Sequence, residues 1–457
     1  MTVTTREAPG PKGHWFWGSL RERRSESLGF LVRMHREYGD VVQWRMGPVN
    51  RVVSLVNPEH VRHVLVENVG RYSKGSGAQR LSTMLGNGLL TSEGPFWMRQ
   101  RRLAQPAFHR ERLMRMVGMM GEEVECMVER WQARPDTSAP VEMADEMART
   151  TLSIASRALF STQVLGEADR VLPALTVGQQ VVNQRVLSLL PLPLSLPTPG
   201  NRAFLRARQT LDSVVFDIIA RRRRGETEGQ DLLAMLMEAQ DAETGERMTD
   251  AQLRDELMTL FIAGYETTAN ALTWAWYLLS QHPEVEERAR GEVAQVLGER
   301  APGPEDIPRL RYLSQVLEES MRLYPPAWVM VRQAREEDVL DGIRIPADPR
   351  LIVAVSPYVI HRQPRFWPEP ERFDPERFSP ERAGERPKLA YLPFGAGQRH
   401  CIGSHFAMME MVLVLAGVLR RFRPRLVPGR KVELEPLVAL RPKGGLPMLL
   451  EPVTATG

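Results

Sequence analysis

A mainly helical fold with small sheets, in a single domain, is what this sequence predicts, and three observations predict it. Windows with apolar residues three and four apart run through the middle of the chain, the longest over residues 249–281. Short alternating stretches lie near both ends, at residues 38–56 and 432–450. No internal repeat or long low-complexity linker interrupts residues 1–457, so they read as one domain, with residues 1–20 as an extended arm.

Each element has its own signal. Residues 38–56 alternate apolar and polar around Gly47-Pro48 and Asn50, the pattern of a β-hairpin. Helical spacing predicts helices over 58–67, 97–108, 111–131, 141–160 and 201–224. The basic run Arg221 to Arg224 suits a helix C-terminus and reads as a solvated end. Asp250 or Thr249 can cap the central helix, and His282-Pro283 ends it. A helix over 312–323 stops at Tyr324-Pro325-Pro326. Strand-like pieces follow at 339–345 and 351–355, then a helix over 402–422.

Composition narrows the function classes. Hydrophobic residues make up 43% and charged residues 25%, an ordinary globular balance. A net charge of +4, with a pI near 9.2 from the excess of arginine, is too slight to point to nucleic acid, and no recognition module is present. Residues 1–20 hold no apolar run of signal-peptide or membrane-span length. The apolar stretch 186–199 is short and broken by prolines, so no membrane span is expected. Cys126 and Cys401 are the two cysteines, too few for a disulfide framework, which favours the reduced cytoplasm.

The chemistry concentrates at Phe394-Gly395-Ala396-Gly397-Gln398-Arg399-His400-Cys401-Ile402-Gly403. The two glycines permit a tight turn whose amides can face the sulfur. Arg399 and a helix start just beyond Cys401 favour an ionised thiolate, the form that binds a metal. An inert buried thiol, or zinc held with His400 or His405, are the alternatives, and no partner pair at zinc spacing is visible.

The full pattern Phe394-x-x-Gly397-x-Arg399-x-Cys401-x-Gly403, continued by Phe406-Ala407 and Glu410, closely resembles the cysteine signature of the cytochrome P-450 family, of the soluble bacterial type. The resemblance implies a cytochrome P-450 fold, with haem b between the long central helix and the helix after the cysteine loop. Cys401 would be the axial ligand of the haem iron. It implies propionate contacts from Trp97 and Arg101, which a Trp-x-x-x-Arg spacing puts on one helix face, and from Arg399, Arg332 and Lys74. Phe394, Gly403 and Ala263 are further implied haem neighbours. Glu319 and Arg322 match the family's Glu-x-x-Arg, and Arg377, in Phe373-Asp374-Pro375-Glu376-Arg377-Phe378, completes a structural brace.

Ala263-Gly264-Tyr265-Glu266-Thr267-Thr268 sits inside the central helix although these residues together form helix poorly, a local cost that often marks function. A threonine there can bond to the carbonyl four residues back, with or without a catalytic role. By resemblance Glu266 is the acid that relays protons and Thr267 the alcohol that donates to dioxygen. The expected activity is a monooxygenase that inserts one atom of O2 into an apolar substrate. A peroxygenase or isomerase on the same haem, and a haem-thiolate sensor, are the alternatives, against which Glu266 and Thr267 argue.

Implied pocket walls are Leu89, Leu90, the Leu190 region, Ala263, Gly264, Ala327, Val329, Met330, Leu437 and Val438, almost all aliphatic. Leu90, in Gly88-Leu89-Leu90-Thr91-Ser92, resembles the over-haem position of fatty-acid hydroxylases. Fatty acids are therefore the first expectation, followed by terpenoids and polyketide-like compounds. The chain has no flavin or iron–sulfur segment. Electrons from NAD(P)H are thus expected through a separate ferredoxin or flavodoxin with its reductase, docked on Arg99, Arg102, Arg110 and Arg112 of a monomer.

Overall fold

The computed structural model describes residues 5–161, 168–188, 191–226, 229 and 231–453. Leu190 lies outside them. The chain forms two compact units, each discontinuous in sequence: Met1–Gln79 with Glu319–Cys401, and Arg80–Glu318 with Ile402–Gly457. The secondary structure is mainly helical with small sheets. No helix among the described residues is long and apolar enough to cross a membrane.

The first unit is built on a five-stranded sheet. Val41–Met46 and Asn50–Leu55 form the anticipated antiparallel hairpin, closed at Met46↔Asn50. Asn50–Leu55 runs parallel to Leu351–Val355, which pairs antiparallel with Met330–Ala334, and the short Tyr72–Ser73 completes the sheet. The piece read as one strand over 339–345 is instead two, Asp338–Leu340 and Ile343–Ile345. Asp341 and Gly342 both adopt positive φ between them. Asp-Gly is the preferred two-residue hairpin turn, because both central residues must enter the left-handed region.

The same unit holds the brace. Glu319 and Arg322 are fully buried, one turn apart on Arg311–Leu323. Arg322 Nε and Nη2 donate to the two Glu319 oxygens at 2.6 and 2.8 Å. Its remaining donors reach the carbonyls of His361, Pro370 and Arg372 at 2.9, 2.7 and 3.1 Å. Arg377 Nε stands 3.4 Å from Glu319 Oε1, and the Asp374 amide donates to the same oxygen at 3.0 Å. His361, also fully buried, bridges onward: Nδ1 faces Arg322 O at 3.2 Å, and Nε2 accepts from the Leu392 amide at 3.0 Å. An amide can only donate, so Nε2 is unprotonated and the Nδ1 proton points at Arg322 O. Burial first, and then the Arg322 charge, push the His361 pKa down to about 3.

The second unit is a helical bundle. Asp250–Gln281 packs along Met143–Phe160, and Ser404–Leu419 lies against both Arg110–Gln132 and Asp250–Gln281. The central and post-cysteine helices therefore share one packed unit, as the fold requires. Thr249 caps the central helix in a reciprocal box with Gln252, worth about 1 kcal/mol. His282 and Pro283 end it. Residues 141–142 form a strand against Pro447–Pro452, so the helix anticipated from 141 begins at Met143. Ala168–Leu187, with Pro173 inside it, was not anticipated because proline argues locally against a helix.

Two predictions follow from the brace. Arg322→Leu strands the buried Glu319 carboxylate and should cost about 3–5 kcal/mol, read as a lower urea midpoint. For His361, the unfolded chain takes up a proton below pH 6.5 and the folded chain only near pH 3. Stability should therefore fall as the pH drops through that window, by about 1.4 kcal/mol per unit at most. A His361→Asn variant should show a flatter urea midpoint there, and an unchanged slope would assign the acid loss to another group.

Candidate functional site

The sequence-predicted residues divide between the units. Lys74, Ala327, Val329, Met330, Arg332, Phe394, Arg399 and Cys401 lie in the first, and Leu89, Leu90, Trp97, Arg101, Ala263, Gly264, Glu266, Thr267, Gly403, Leu437 and Val438 in the second.

In the first unit the cysteine loop is shaped by its glycines. Gly395 and Gly397 sit at φ +74° and +66°. A Cβ on Gly397 would stand 2.3 Å from the Leu65 carbonyl oxygen, and one on Gly395 would meet Met330 Sδ at 3.5 Å. Gly397 thus lies on the π-helical turn His63–Glu67, where a plain α-helix had been expected. Such wide turns occur often at functional sites. The Cys401 amide donates to Phe394 O at 2.9 Å and the His400 amide to Gly397 O at 3.0 Å, closing the loop on itself. Those two amides therefore hold the loop, and the side chain of Cys401 is left exposed at its end. Arg399 closes a 3-10 turn at Gly397–Arg399. Arg332 stands on the sheet opposite Val353, and Lys74 directly follows strand Tyr72–Ser73.

In the second unit Trp97 is buried and Arg101 half-buried on Gly94–Ala104. The Thr267 hydroxyl donates to Ala263 O at 2.7 Å and that of Thr268 to Gly264 O at 2.8 Å, the back-bonding that the sequence allows. Glu266 points elsewhere: its Oε2 accepts from Gln179 Nε2 at 2.9 Å, from helix Ala168–Leu187. Burial pushes the Glu266 carboxyl upward, while Arg441 and the Gln179 bond hold it back. Gln179 has no motif around it and was not foreseen. Its partner one turn on, Asn183, accepts from the Val438 amide at 3.0 Å, so one face of this helix meets both the acid and a predicted pocket residue. A small cavity beside the central helix is lined only by apolar side chains, among them Phe160, Val214, Leu257 and Phe261.

Within the first unit, the residue chemistry suits a haem: an exposed thiol on a glycine-shaped loop, with cations at 74, 332 and 399, is of the kind that an iron porphyrin bearing two carboxylates needs. Among the described residues no group of three or more His, Cys, Asp or Glu side chains could hold a bare ion. Two of the four arginines expected to dock a redox partner are engaged internally. Arg102 pairs with Asp241 and Glu243, both at 2.8 Å, and Arg99 with Glu246 at 3.1 Å. An acidic turn far along the chain folds over them, which spacing alone could not reveal.

A family profile described as Cytochrome P450 matches residues 8–447. Cyclooctatin synthase of Streptomyces melanosporofaciens is 41% identical over 433 residues, covering 93% of this chain and 91% of that protein. Cyclooctat-9-en-7-ol 5-monooxygenase of the same organism is 37% identical, with 93% and 91% covered. The crystal structure of cytochrome P450DA heme domain matches with a TM-score of 0.89 at 26% identity, over 98% of both chains.

Gly397→Ala adds a Cβ where the Leu65 carbonyl stands and imposes a positive φ on an L-residue, itself about 1–2 kcal/mol. The haem-loaded variant should lose most of its thiolate-ligated band in the reduced carbon monoxide difference spectrum. A full band would show that the loop tolerates the methyl group.

Proposed function

Because the chain belongs to the cytochrome P450 family and is a monooxygenase with haem b as cofactor, we propose that it hydroxylates a cyclic terpenoid at an unactivated carbon. When bound, the haem with its axial thiolate supplies the activation of O2 that puts one oxygen atom into a C–H bond and releases the other as water. Cys401 would hold the iron, and Trp97, Arg101, Arg332, Arg399 and Lys74 the propionates.

The observation that carries the relay is the pairing of a half-buried carboxyl with a back-bonded hydroxyl in adjacent positions of one helix. Gln179 donates to Glu266 Oε2, which orients the carboxyl and leaves Oε1 to carry a proton. The single Thr267 proton is donated to Ala263 O, which leaves the oxygen lone pairs to accept; to act as a donor in the relay the hydroxyl rotates away from Ala263 O and gives up that bond. Burial keeps Glu266 protonated to a higher pH than an exposed carboxyl, the property a proton carrier needs.

The substrate class is supported by the relatives' names, one of which acts on a cyclic alkenol, and by the aliphatic character of Leu89, Leu90, Val329, Met330, Leu437 and Val438. This moves terpenoids ahead of the fatty acids first expected from the Leu90 setting. Electrons from NAD(P)H arrive through partner proteins. A ferredoxin or flavodoxin is the proposed donor, with the exposed Arg110 and Arg112 as the remaining cations of the docking face.

Cyclic terpenoid alcohols and linear fatty acids should be titrated against the haem-loaded protein, with surrogate ferredoxin and reductase added for turnover. The alcohols should shift the haem spin state and yield monohydroxylated product. Shifts and products from fatty acids alone would overturn the substrate proposal. Thr267→Ala should lower product formed per NAD(P)H oxidised roughly tenfold or more, and tight coupling in that variant would remove the hydroxyl from the relay.

A further inference from the structure

Three consecutive residues of the central helix meet the last turn of helix Gly75–Leu85 and the loop that follows it. Arg254 Nη2 donates to Met84 O at 3.0 Å, Asp255 Oδ2 accepts from the Asn87 amide at 2.7 Å, and Glu256 Oε2 accepts from the Leu89 amide at 3.0 Å. Glu256 has no exposed surface, and its Oε1 accepts from Gln100 Nε2 at 3.1 Å. Gln100 belongs to the helix of Trp97 and Arg101. Arg254 is held in turn by Asp212 of Pro199–Arg223 at 2.8 Å.

The approach is so close that it depends on glycine. A Cβ on Gly88 would lie 2.3 Å from Thr259 Oγ1 and 2.5 Å from the Asp255 carbonyl oxygen. Gly86, at φ +72°, would place its Cβ 2.0 Å from Asp255 Oδ1. The Thr91 hydroxyl closes the loop on Gly86 O at 2.7 Å. Charged side chains on a buried helix turn are costly unless they satisfy something, and here they satisfy loop amides and a carbonyl that have no ladder to join. Within the loop Leu89 is buried, whereas Leu90 keeps 40% of its surface exposed. Thr259, against which Gly88 rests, lies one helical turn before Ala263.

We infer that Arg254, Asp255 and Glu256 form a latch that fixes the 86–91 loop and so decides which substrate carbon is oxidised, with Glu256 as the positioning residue that ties this loop to the helix of Trp97 and Arg101. The inference rests on the reading of Leu90 as a pocket wall. A loop held at 87 and 89, with the helix end before it held at 84, presents residue 90 in one place, and a loop released from these points presents it in many, which relaxes the orientation of an apolar substrate that has few polar handles.

Hydrogen exchange of residues 84–91 and the regiochemistry of hydroxylation of a cyclic terpenoid alcohol should be measured together on the haem-loaded enzyme. Glu256→Ala should speed exchange in that segment about tenfold or more, leave the rest of the chain unchanged and broaden the product distribution. Glu256→Gln, which keeps an oxygen for the Leu89 amide, should restore most of both. Asp255→Ala, at a partly exposed position, is the companion variant should Glu256→Ala fail to fold, and it should show the same two effects through the Asn87 amide. Unchanged exchange, or faster exchange with unchanged products, overturns the latch. Leu90→Ala isolates the underlying reading: unchanged products there refute the wall, whereas changed products there beside unchanged products in both latch variants refute the latch.

Discussion

A buried guanidinium is tolerated only where its charge and its donors are met together, and Arg322 meets them with one carboxylate and three backbone carbonyls. The cysteine loop hangs from that arrangement by a continuous series of bonds. Arg322 O faces His361 Nδ1, His361 Nε2 takes the Leu392 amide, Leu392 O takes the Gly395 amide, and Phe394 O takes the Cys401 amide. The Arg322 guanidinium also lies over the Trp367 ring at 5.1 Å, and Trp367 Nε1 donates to Ala390 O just upstream of the loop. The loop that carries the exposed Cys401 is thus positioned by a rigid polar core.

The central helix solves a different problem. Most of its length is buried, and two stretches of it turn polar side chains to specific partners. At 254–256 they bind the backbone of residues 84–89, and at 263–268 they include the back-bonded threonines and Glu266, the residues of the proposed relay. In both, polar atoms are turned toward specific partners instead of solvent, because an unmet donor or acceptor there would cost more than the helix gains. Helix Ala168–Leu187 adds Gln179 and Asn183 to the same scheme, and Arg80 binds its last carbonyls.

Local chemistry made much of this legible. Thr249 and Pro283 bracket the central helix because caps and breakers act on adjacent residues. The hairpin over residues 41–55 follows from alternation, and the Asp341-Gly342 turn carried a signal that was read too coarsely. The helix Ala168–Leu187 was hidden by Pro173, whose local preference is overridden by packing. Gln179, His361 and Glu256 were not legible, since each matters through a partner tens to hundreds of residues away.

The sequence by itself determined the family, because the motifs that mark it, the glycine-flanked Cys401 and the Glu266-Thr267 pair, are contiguous stretches read from neighbours in the chain. Only the tertiary structure decided that Gly397 must be bare against the Leu65 carbonyl, that Arg99 and Arg102 are taken up by an acidic turn, and that the half-buried Glu266 and the buried Glu256 have Gln179 and Gln100 as partners. Those facts depend on distances between residues remote in sequence, and burial changes the value of a charge or an amide in ways that no local pattern records.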